Sequence, residues 1–566
     1  MAGRVIIFIL LLASSGLTTL SQSLNQDDSL RSILARDAQV LVNIPYTSPE
    51  ALKNLTREVS VIAVKNKEIS VYLSPLTIEW FIKRKYPYTI LQKPEIKSFM
   101  SANDINSAME WDSYPSHTQY DSIMQYFAVA FPGLCRLDTI GTSINGKLVL
   151  ALKISDNPLI DEDEPEAFYT SSMHGDETGG FILMMHLIDY LLNNYNLDDR
   201  VKNLVNNLEL WVNPLANPDG TYRNGNIISS PTRFNANGID LNRNFPDPSV
   251  QGGPLQKENS DMIAFMRKHN FVISANFHSG AEVVNYPWDR YPFRLHADNS
   301  WFNLISRKYA DTAHIYSPAG YMDDLDNGVT RGSQWYIIYG GRQDFVTYEL
   351  QGREVTIELD DQYVTSPARL SLLWQHNWRS LLGYLENALY GIQGTVLNEE
   401  TTMPVEARIF IKGHDKDSSH VYSESVSGKY VRLLYPGTWT ISFSGPGFYD
   451  KIISDIVVTG NVKTELNVNL TPIASVKDST LPRAPVLYPN PAKTNIMAVL
   501  PDDASGTVNV RIFNMTGLLL ADYFTEVNTG IPLKVNLRGM PAGVYSIIFS
   551  NYNAKVSYRG RFILIK

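Results

Sequence analysis

Two short segments of the sequence carry side chains that can ligate a metal ion. His174 and Glu177 lie in the segment 171–178, SSMHGDET, directly after an apolar, strand-like run, and His278 follows a second apolar run, 272–277. Two imidazoles and one carboxylate form the ligand set of a catalytic zinc, which keeps one position open for water. The spacing His-x-x-Glu is common by chance, so this interpretation depends on the residues around it.

A carboxylate inside an apolar strand is the second signal. Glu358 ends the run 354–358, EVTIE. Burying an acidic side chain costs several kcal/mol unless the group is paired or functional. A carboxylate beside zinc-bound water can accept its proton. Glu358 is therefore a candidate general base, with an ion pair inside the sheet as the alternative.

A loop rich in arginine and amide side chains is the third signal. The segment 233–246, RFNANGIDLNRNFP, contains two arginines and four asparagines between glycine and proline residues. The planar guanidinium group matches a carboxylate with two parallel hydrogen bonds. The loop therefore suits recognition of an anion, and a solvated surface loop is the alternative.

Together with further motifs, these segments resemble the zinc metallocarboxypeptidase family, in the regulatory branch that includes carboxypeptidases D, E and N. The resemblance covers about residues 112–470, and the motifs stand in the family's order and spacing. They are His174-x-x-Glu177, Asn213-Pro through Asn217-Pro-Asp-Gly220, the loop 233–246, Phe277-His-Ser-Gly280 through Asn285-Tyr-Pro-Trp-Asp289, Trp335-Tyr336, Gly340-Gly through Gln343-Asp344, and Thr356-Ile-Glu358.

The resemblance implies a metal centre with one zinc ion per chain. His174, Glu177 and His278 would be its ligands. Asp240 would hold the imidazole of His174 in the required orientation, as hydrogen bonds to metal-bound histidines generally do.

The resemblance also implies the groups that act on the substrate. Glu358 would take a proton from the attacking water and return it to the leaving amine. Arg233 would polarise the scissile carbonyl and stabilise the oxyanion. Asn242 and Arg243 would hold the terminal α-carboxylate of a peptide or protein, and Tyr336 would close over the terminal residue.

The preferred terminal residue is suggested by two further matches. In the regulatory branch, the positions of Asp289 and Gln343 favour a C-terminal Lys or Arg. A carboxylate at the pocket wall complements a cationic side chain, and Gln343 adds an acceptor. We therefore expect a carboxypeptidase that prefers basic residues, with Asp289 solvated at a loop tip as the alternative.

Other functions remain open at this point. The same ligand set and fold occur in deacylases and in peptidases that act on cell-wall peptides. Asn242, Arg243 and Tyr336 argue against a deacylase, and Gln343 with Asp289 argues against a cell-wall diaminopimelate substrate. Outside the enzymes, the alternative is a surface binding protein with a vestigial zinc site.

The elements around these residues predict an α/β fold. Residues 108–390 alternate strand-like runs with amphipathic segments, which predicts a mixed open sheet flanked by helices and ligands bound at its strand ends. The predicted strands are 148–154, 167–173, 208–212, 271–277 and 355–359, and the predicted helices are 180–195 and 371–390.

Three further units flank this domain. Residues 24–107 predict a small α+β domain of βαβ type, and a propeptide domain that masks the site is one interpretation of it. Residues 391–472 predict a small all-β sandwich, which resembles the transthyretin-like domain of the regulatory branch, and a linker follows at 473–485. Residues 486–566 predict a second small all-β sandwich and resemble the sorting domain of the type IX secretion system, which implies that machinery as a partner.

Composition and the N-terminus complete the prediction. Residues 1–23 read as a signal peptide, with Arg4 before an apolar run. The net charge of −9 disfavours a nucleic-acid partner. The single cysteine, Cys135, excludes a disulfide within the chain and predicts a small buried side chain. We expect no transmembrane segment in the mature protein, and a secreted or cell-surface location reached through the periplasm and across the outer membrane.

Overall fold

The computed structural model describes residues 26–91, 98–247, 253–473, 484–501, 504–515, 517–528, 530–551 and 556–565. The predicted signal peptide, 1–23, and most of the predicted linker, 473–485, lie outside these residues. The chain divides into two compact units, the first ending at Pro472 and the second beginning at Ile473. In the described part of the chain, no helix is both long enough and apolar enough to span a membrane.

The first unit begins with a small α+β domain. Its elements are α1 (26–37), β1 (Val40–Pro45), α2 (Pro49–Leu55), β2 (Ser60–Lys65), β3 (Glu68–Leu73), α3 (Ile78–Arg84) and β4 (Thr89–Ile90). The strands form one antiparallel sheet in the order β2-β3-β1-β4. The order β1-α2-β2 fits the predicted βαβ type in its split form, because β1 and β2 both pair antiparallel with β3 and therefore run parallel with β3 between them. A two-residue turn joins β2 directly to β3, and this hairpin favours antiparallel pairing.

A large α/β domain follows in the same unit. Its strands are β5 (Cys135–Thr142), β6 (Leu148–Ile154), β7 (Glu166–Ser171), β8 (Glu209–Asn213), β9 (Phe271–His278), β10 (Ala281–Tyr286), β11 (Val329–Arg331) and β12 (Arg353–Asp360). They form one sheet in the order β11-β10-β12-β9-β7-β8-β6-β5. The four central strands β12, β9, β7 and β8 are parallel, and β10, β6 and β5 introduce antiparallel pairs. The predicted mixed open sheet is confirmed.

Helices cover both faces of this sheet. They are α4 (Ile105–Ala108), α5 (His117–Ala130), α6 (Gly179–Asn194), α7 (Asp199–Val205), α8 (Pro218–Thr221), α9 (Lys257–Met266), α10 (Asn299–Ile315), α11 (Asp324–Gly328), α12 (Gly332–Trp335), α13 (Arg342–Glu349) and α14 (Pro367–Leu385), with short 3₁₀ turns at Leu241–Arg243 and Glu386–Leu389. Tyr169 of β7 packs in the core on the side of α6 and α14, whereas its neighbour Phe168 packs on the side of α9 and α13. Alternate side chains of a strand point to opposite faces, so each face has its own core.

The cysteine prediction is confirmed. Cys135 begins β5, is buried, and donates from Sγ to the carbonyl of Phe127, 3.2 Å away. Burial raises the pKa of its thiol to about 12. The side chain therefore serves packing rather than nucleophilic chemistry.

The first unit ends with the predicted β-sandwich. Its strands are β13 (Gly391–Asn398), β14 (Arg408–Ile411), β15 (Val421–Tyr422), β16 (Lys429–Arg432), β17 (Gly437–Ser444), β18 (Lys451–Val458), β19 (Lys463–Glu465) and β20 (Val468–Leu470). One sheet runs β16-β13-β19, with β20 also paired to β13, and the other runs β15-β14-β17-β18. Ile392 from the first sheet and Ile409 and Phe443 from the second share one buried core.

The second unit is all-β in its described part. Its strands are β21 (Val486–Tyr488), β22 (Asn495–Val499), β23 (Gly506–Asn514), β24 (Leu519–Val527), β25 (Leu533–Asn536), β26 (Gly543–Asn551) and β27 (Val556–Leu564). They form a sheet β21-β22-β25 and a sheet β24-β23-β26-β27. Ile496, Val510 and Ile547 contribute to a core of its own.

Candidate metal centre and substrate pocket

The three predicted metal ligands meet at the carboxyl ends of two neighbouring strands. His174 and Glu177 lie on the turn between β7 and α6, and His278 is the last residue of β9, which runs parallel to β7. The turn passes close to another segment, because a Cβ on Gly175 would lie 2.3 Å from the carbonyl carbon of Gly220. Parallel pairing and this close approach place all three side chains at one edge of the sheet.

The ligand atoms face one another at short distances. Glu177 Oε1 lies 2.8 Å from His174 Nδ1, and Glu177 Oε2 lies 2.7 Å from His278 Nδ1. The two Nδ1 atoms are 3.0 Å apart. All three side chains are buried. Two nitrogens and a carboxylate that converge in this way match the donor set of zinc.

The outer nitrogens of both imidazoles have partners that suit metal binding through Nδ1. His174 Nε2 lies 3.0 Å from Asp240 Oδ1, and His278 Nε2 lies 2.6 Å from the amide of Asn276. The Oδ1 of Asn276 has no partner within the described ranges. With this amide rotated by 180°, Oδ1 becomes the acceptor of the Nε2 proton. Each ring can then present an unprotonated Nδ1 to a metal.

Burial and neighbouring charges decide the protonation of the three proposed ligands. Burial lowers the pKa of His278 to about 4, although Glu177 opposes the shift. Burial would raise the pKa of Glu177, but the charges of His174 and His278 outweigh it and hold that pKa well below its usual range. The carboxylate is therefore ionised at neutral pH, as a metal ligand must be.

Glu358 stands beside the ligands on the adjacent strand. It lies on β12 in register with His278, and its Oε2 is buried without a hydrogen-bond partner in the described structure. Burial and the nearby carboxylate of Glu177 raise its pKa well above the usual range. The alternative of an ion pair inside the sheet does not fit, since no cation bonds to Glu358 among the described residues.

The arginine loop reaches the same place. Arg233 Nη1 lies 3.0 Å from Glu177 Oε1, and its Nε lies 2.9 Å from Asp240 Oδ2. Arg243 follows on the 3₁₀ turn, with Asn242 before it. The Oδ1 of Asn242 accepts the backbone N–H of Arg342 at 2.9 Å, which leaves the Nδ2 donor of the amide for another group.

A buried acidic site lies farther along the pocket. Asp289 Oδ1 accepts hydrogen bonds from Gln343 Nε2 and Asn285 Nδ2, each at 3.0 Å. All three side chains are buried. Asp289 is therefore not solvated at a loop tip. Asn285 was not among the predicted site residues, although it stands at the start of the quoted motif that ends at Asp289.

The predicted residues surround one pocket. Nine of them line it directly: His174, Glu177, Arg233, Asn242, Arg243, His278, Asp289, Tyr336 and Glu358. Asp240 and Gln343 stand behind it and contact residues that line it. Tyr363 and Ile62 also line the pocket and were not predicted. Tyr363 follows β12 by a few residues, whereas Ile62 belongs to the N-terminal domain and carried no motif.

The N-terminal domain covers this pocket. Ser60 Oγ donates to Asp240 Oδ2 at 2.5 Å and accepts from Arg233 Nε at 2.7 Å. The carbonyl of Val61 accepts from Arg243 Nη2 at 2.9 Å. The cavity that remains measures about 30 Å³, room for one or two water molecules. The N-terminal domain therefore occupies hydrogen-bonding groups at this pocket.

Comparisons with known proteins agree with the predicted resemblance. The family pattern described as zinc carboxypeptidase matches residues 120–380. Human carboxypeptidase D is 33% identical over 372 residues, which cover 63% of this chain and 26% of that protein. The mouse carboxypeptidase N catalytic chain is 32% identical over 384 residues, which cover 60% of this chain and 82% of that protein. The match thus spans only about a quarter of carboxypeptidase D but most of the carboxypeptidase N catalytic chain.

Two further comparisons concern the fold and the C-terminus. The structure of carboxypeptidase A from Helicoverpa armigera superposes with a TM-score of 0.50 at 19% identity, over 62% of this chain and 98% of that one. At that identity the likeness shows the fold alone. The family pattern described as secretion system C-terminal sorting domain matches residues 486–564.

Proposed function

This chain belongs to the zinc carboxypeptidase family, and we propose that it hydrolyses the C-terminal peptide bond of peptides or proteins with one bound zinc ion. The observation that carries the proposal is one pocket lined by His174, Glu177, His278, Glu358 and Arg243. A metal-ligand set, a carboxylate base and a carboxylate clamp in one place suit hydrolysis at a chain end. This intact arrangement supports an enzyme over a binding protein with a vestigial site.

The side chains divide the chemistry between them. Zinc held by the two histidines and Glu177 would supply a Lewis acid and lower the pKa of a water beside it. Glu358 takes the proton of the attacking water and delivers it to the leaving amine. Arg233 stabilises the negative charge that develops on the carbonyl oxygen.

Binding of the chain end explains why only a terminal bond is cut. The guanidinium of Arg243 and the Nδ2 of Asn242 hold the terminal α-carboxylate, because Asn242 Oδ1 is already occupied by the N–H of Arg342. Tyr336 lines the same pocket and covers the terminal side chain. A bond inside a chain offers no carboxylate to this clamp.

We infer a preference for Lys or Arg at the terminus. The buried carboxylate of Asp289 faces the pocket, and the amides of Gln343 and Asn285 donate to one of its oxygens. A buried carboxylate is stabilised by a cationic partner, whereas an apolar side chain leaves it uncompensated. The same reasoning disfavours cell-wall peptides as the main substrates.

The N-terminal domain acts in this proposal as a prodomain. Ser60 engages Arg233 and Asp240, and Val61 engages Arg243, so three groups assigned to catalysis or binding are occupied. The domain must move or be removed before substrate enters. The predicted domain limits, 24–107 for this domain and 108–390 for the catalytic domain, remain part of the proposal.

The sorting domain supports export of the chain. We propose passage through the periplasm and transport across the outer membrane by type IX secretion machinery, so that the enzyme acts outside the cell or at its surface. The natural substrates would then be the C-termini of extracellular peptides or proteins.

Metal analysis with peptide hydrolysis tests the proposed function. The purified chain, after limited proteolysis between the N-terminal and catalytic domains, should contain one zinc per chain. It should release single residues from peptide C-termini, lose activity with a chelator, and recover it with zinc. Activity that survives complete removal of zinc would contradict the proposal.

A further inference from the structure

A second aspartate lies directly behind the proposed specificity site. Asp344 follows Gln343 in the first turn of α13 and is buried. Its Oδ1 accepts the backbone N–H of Asp289 at 2.9 Å, and its Oδ2 accepts the backbone N–H of Arg290 at 3.1 Å. Both oxygens of Asp344 are therefore committed to the main chain that carries Asp289.

Two consecutive residues of α13 thus hold Asp289 in two ways. Gln343 binds its side chain, and Asp344 binds its main chain. One carboxyl group that accepts two consecutive backbone N–H groups fixes the loop to the helix by hydrogen bonds as well as by packing. Helix α13 in turn is attached to the substrate clamp through the bond from Arg342 N to Asn242.

The opposite side of Asp289 is closed by a glycine. A Cβ on Gly332 would lie 1.7 Å from Asp289 Oδ1 and 2.9 Å from Asn285 Oδ1. The carboxylate of Asp289 therefore rests against the backbone of Gly332, with no room to move toward it. The position of the Asp289 carboxylate is therefore set by contact with Gly332 on one side and by the hydrogen bonds to α13 on the other.

We propose that Asp344 is a positioning residue for the recognition of a basic terminal side chain. By accepting the N–H groups of Asp289 and Arg290, it fixes the point in the pocket where the carboxylate of Asp289 stands. A charge pair in a buried site depends steeply on distance, so a shift of the loop weakens the attraction for a cation. Asp344 itself makes no contact with the substrate in this scheme. The inference rests on the proposed preference for Lys or Arg.

The variant Asp344→Asn tests the inference. The full chain is prepared, loaded with zinc, and then cleaved by limited proteolysis between the N-terminal and catalytic domains. Asparagine keeps the shape but turns an NH₂ group toward one backbone N–H, so one of the two hydrogen bonds is lost. We expect KM for peptides ending in Arg or Lys to rise about tenfold, with kcat little changed. KM for matched peptides ending in Phe or Leu should stay within about twofold.

Asp261→Asn is the matched control. Asp261 also accepts a backbone N–H, that of Thr142 in the opposite edge strand β5. This variant should leave the ratio of KM values between Arg-ended and Phe-ended peptides unchanged. Inhibition by free L-arginine and by free L-phenylalanine gives a second readout. In Asp344→Asn, inhibition by L-arginine should weaken, and inhibition by L-phenylalanine should not change.

A variant that keeps the carboxyl group separates its position from its chemical type. Asp344→Glu lengthens the side chain and should displace the same loop, so the preference for Arg over Phe should fall even though the carboxyl group remains. This variant also serves if Asp344→Asn folds poorly, as judged by its thermal midpoint.

The outcomes distinguish the two proposals. If the unaltered enzyme prefers Phe or Leu, the proposed basic preference is wrong. If it prefers Arg or Lys and both Asp344 variants keep that preference, the role given to Asp344 is wrong. An equal loss on basic and neutral substrates, in KM and kcat alike, would show a merely structural role and would also overturn the inference.

Discussion

Arg243 donates from Nη2 to the backbone carbonyl of Val61, 2.9 Å away. One partner belongs to the clamp proposed for the substrate carboxylate, and the other to strand β2 of the N-terminal domain. A carbonyl oxygen of the chain itself is thus hydrogen-bonded to the guanidinium that we propose binds the substrate carboxylate. Beside it, Ser60 bonds to Arg233 and Asp240.

From this contact we expect the intact chain to be nearly inactive. Limited proteolysis that separates the N-terminal domain should raise kcat/KM by at least about a hundredfold, because buried charged hydrogen bonds must be broken before substrate binds. Hydrolysis would be followed with an Arg-ended peptide, and N-terminal sequencing would locate the cut.

Zinc content provides the control for this first prediction. It should be the same before and after cleavage, so that the gain reflects access rather than metal loading. Equal activity of the intact and cleaved chains would show that the N-terminal domain does not mask the site.

Glu358→Gln isolates the proposed base. The amide keeps the size of the side chain but cannot accept a proton, so kcat should fall by about 10²–10⁴-fold. Zinc content and the thermal midpoint should not change. Glu349→Gln, at an exposed position of α13, is the control and should retain full activity. Retained activity in Glu358→Gln would require another base.

The proposed metal ligands could be located from sequence because they follow apolar runs that form buried strands, and the motifs shared with the zinc carboxypeptidase family suggested their roles. Parallel neighbours then bring His174, Glu177 and His278 to one edge of the sheet whatever the loops do. Glu358 could be predicted for the same reason, as an acid in an apolar strand. The sheet sets the positions of these residues, whereas their proposed roles depended on the surrounding motifs of the family.

Other contacts could not be predicted because they depend on packing between distant segments. Ser60 meets Asp240 across 180 residues of chain, and nothing in β2 distinguishes its serine from any other. Asp344 belongs to the motif that ends in Gln343-Asp344, but its role depends on a loop some 55 residues away. The insertion of β3 between β1 and β2 also depends on tertiary contacts, so the βαβ pattern alone did not give the order of the strands.

The preference for basic residues should depend on pH. Burial raises the pKa of Asp289 to about 6, although the hydrogen bond from Asn285 and the charge of Arg243 oppose the shift. Above this pH the carboxylate is charged and attracts a cation, and below it the group is protonated and neutral. At pH 5 the Asp289 carboxyl should be ionised in only about a tenth of the enzyme molecules without bound substrate. The ratio of kcat/KM for Arg-ended and Phe-ended peptides should therefore fall about tenfold between pH 7 and pH 5.

Using a ratio cancels the pH dependence of the shared catalytic groups. Asp289→Asn should give a low ratio that does not change with pH. A ratio that stays constant in the unaltered enzyme would mean that Asp289 does not recognise the cation.

The last prediction concerns the attachment of the β-sandwich to the α/β domain. Asp298, at the start of α10, is fully surrounded: Arg353 Nη2 lies 2.6 Å away, Arg432 Nη1 and Nη2 each 2.9 Å, and His414 Nε2 2.8 Å. Arg432 and His414 belong to the sandwich, so one buried carboxylate joins the two domains.

Asp298→Ala leaves two buried guanidinium groups without this partner and should lower the free energy of unfolding by about 3–5 kcal/mol. Asp361→Ala removes a carboxylate that is 66% exposed and pairs with Arg369, and should cost less than about 1 kcal/mol. Urea unfolding followed by tryptophan fluorescence would compare the two variants, and similar midpoints would show that Asp298 does not hold the domains together.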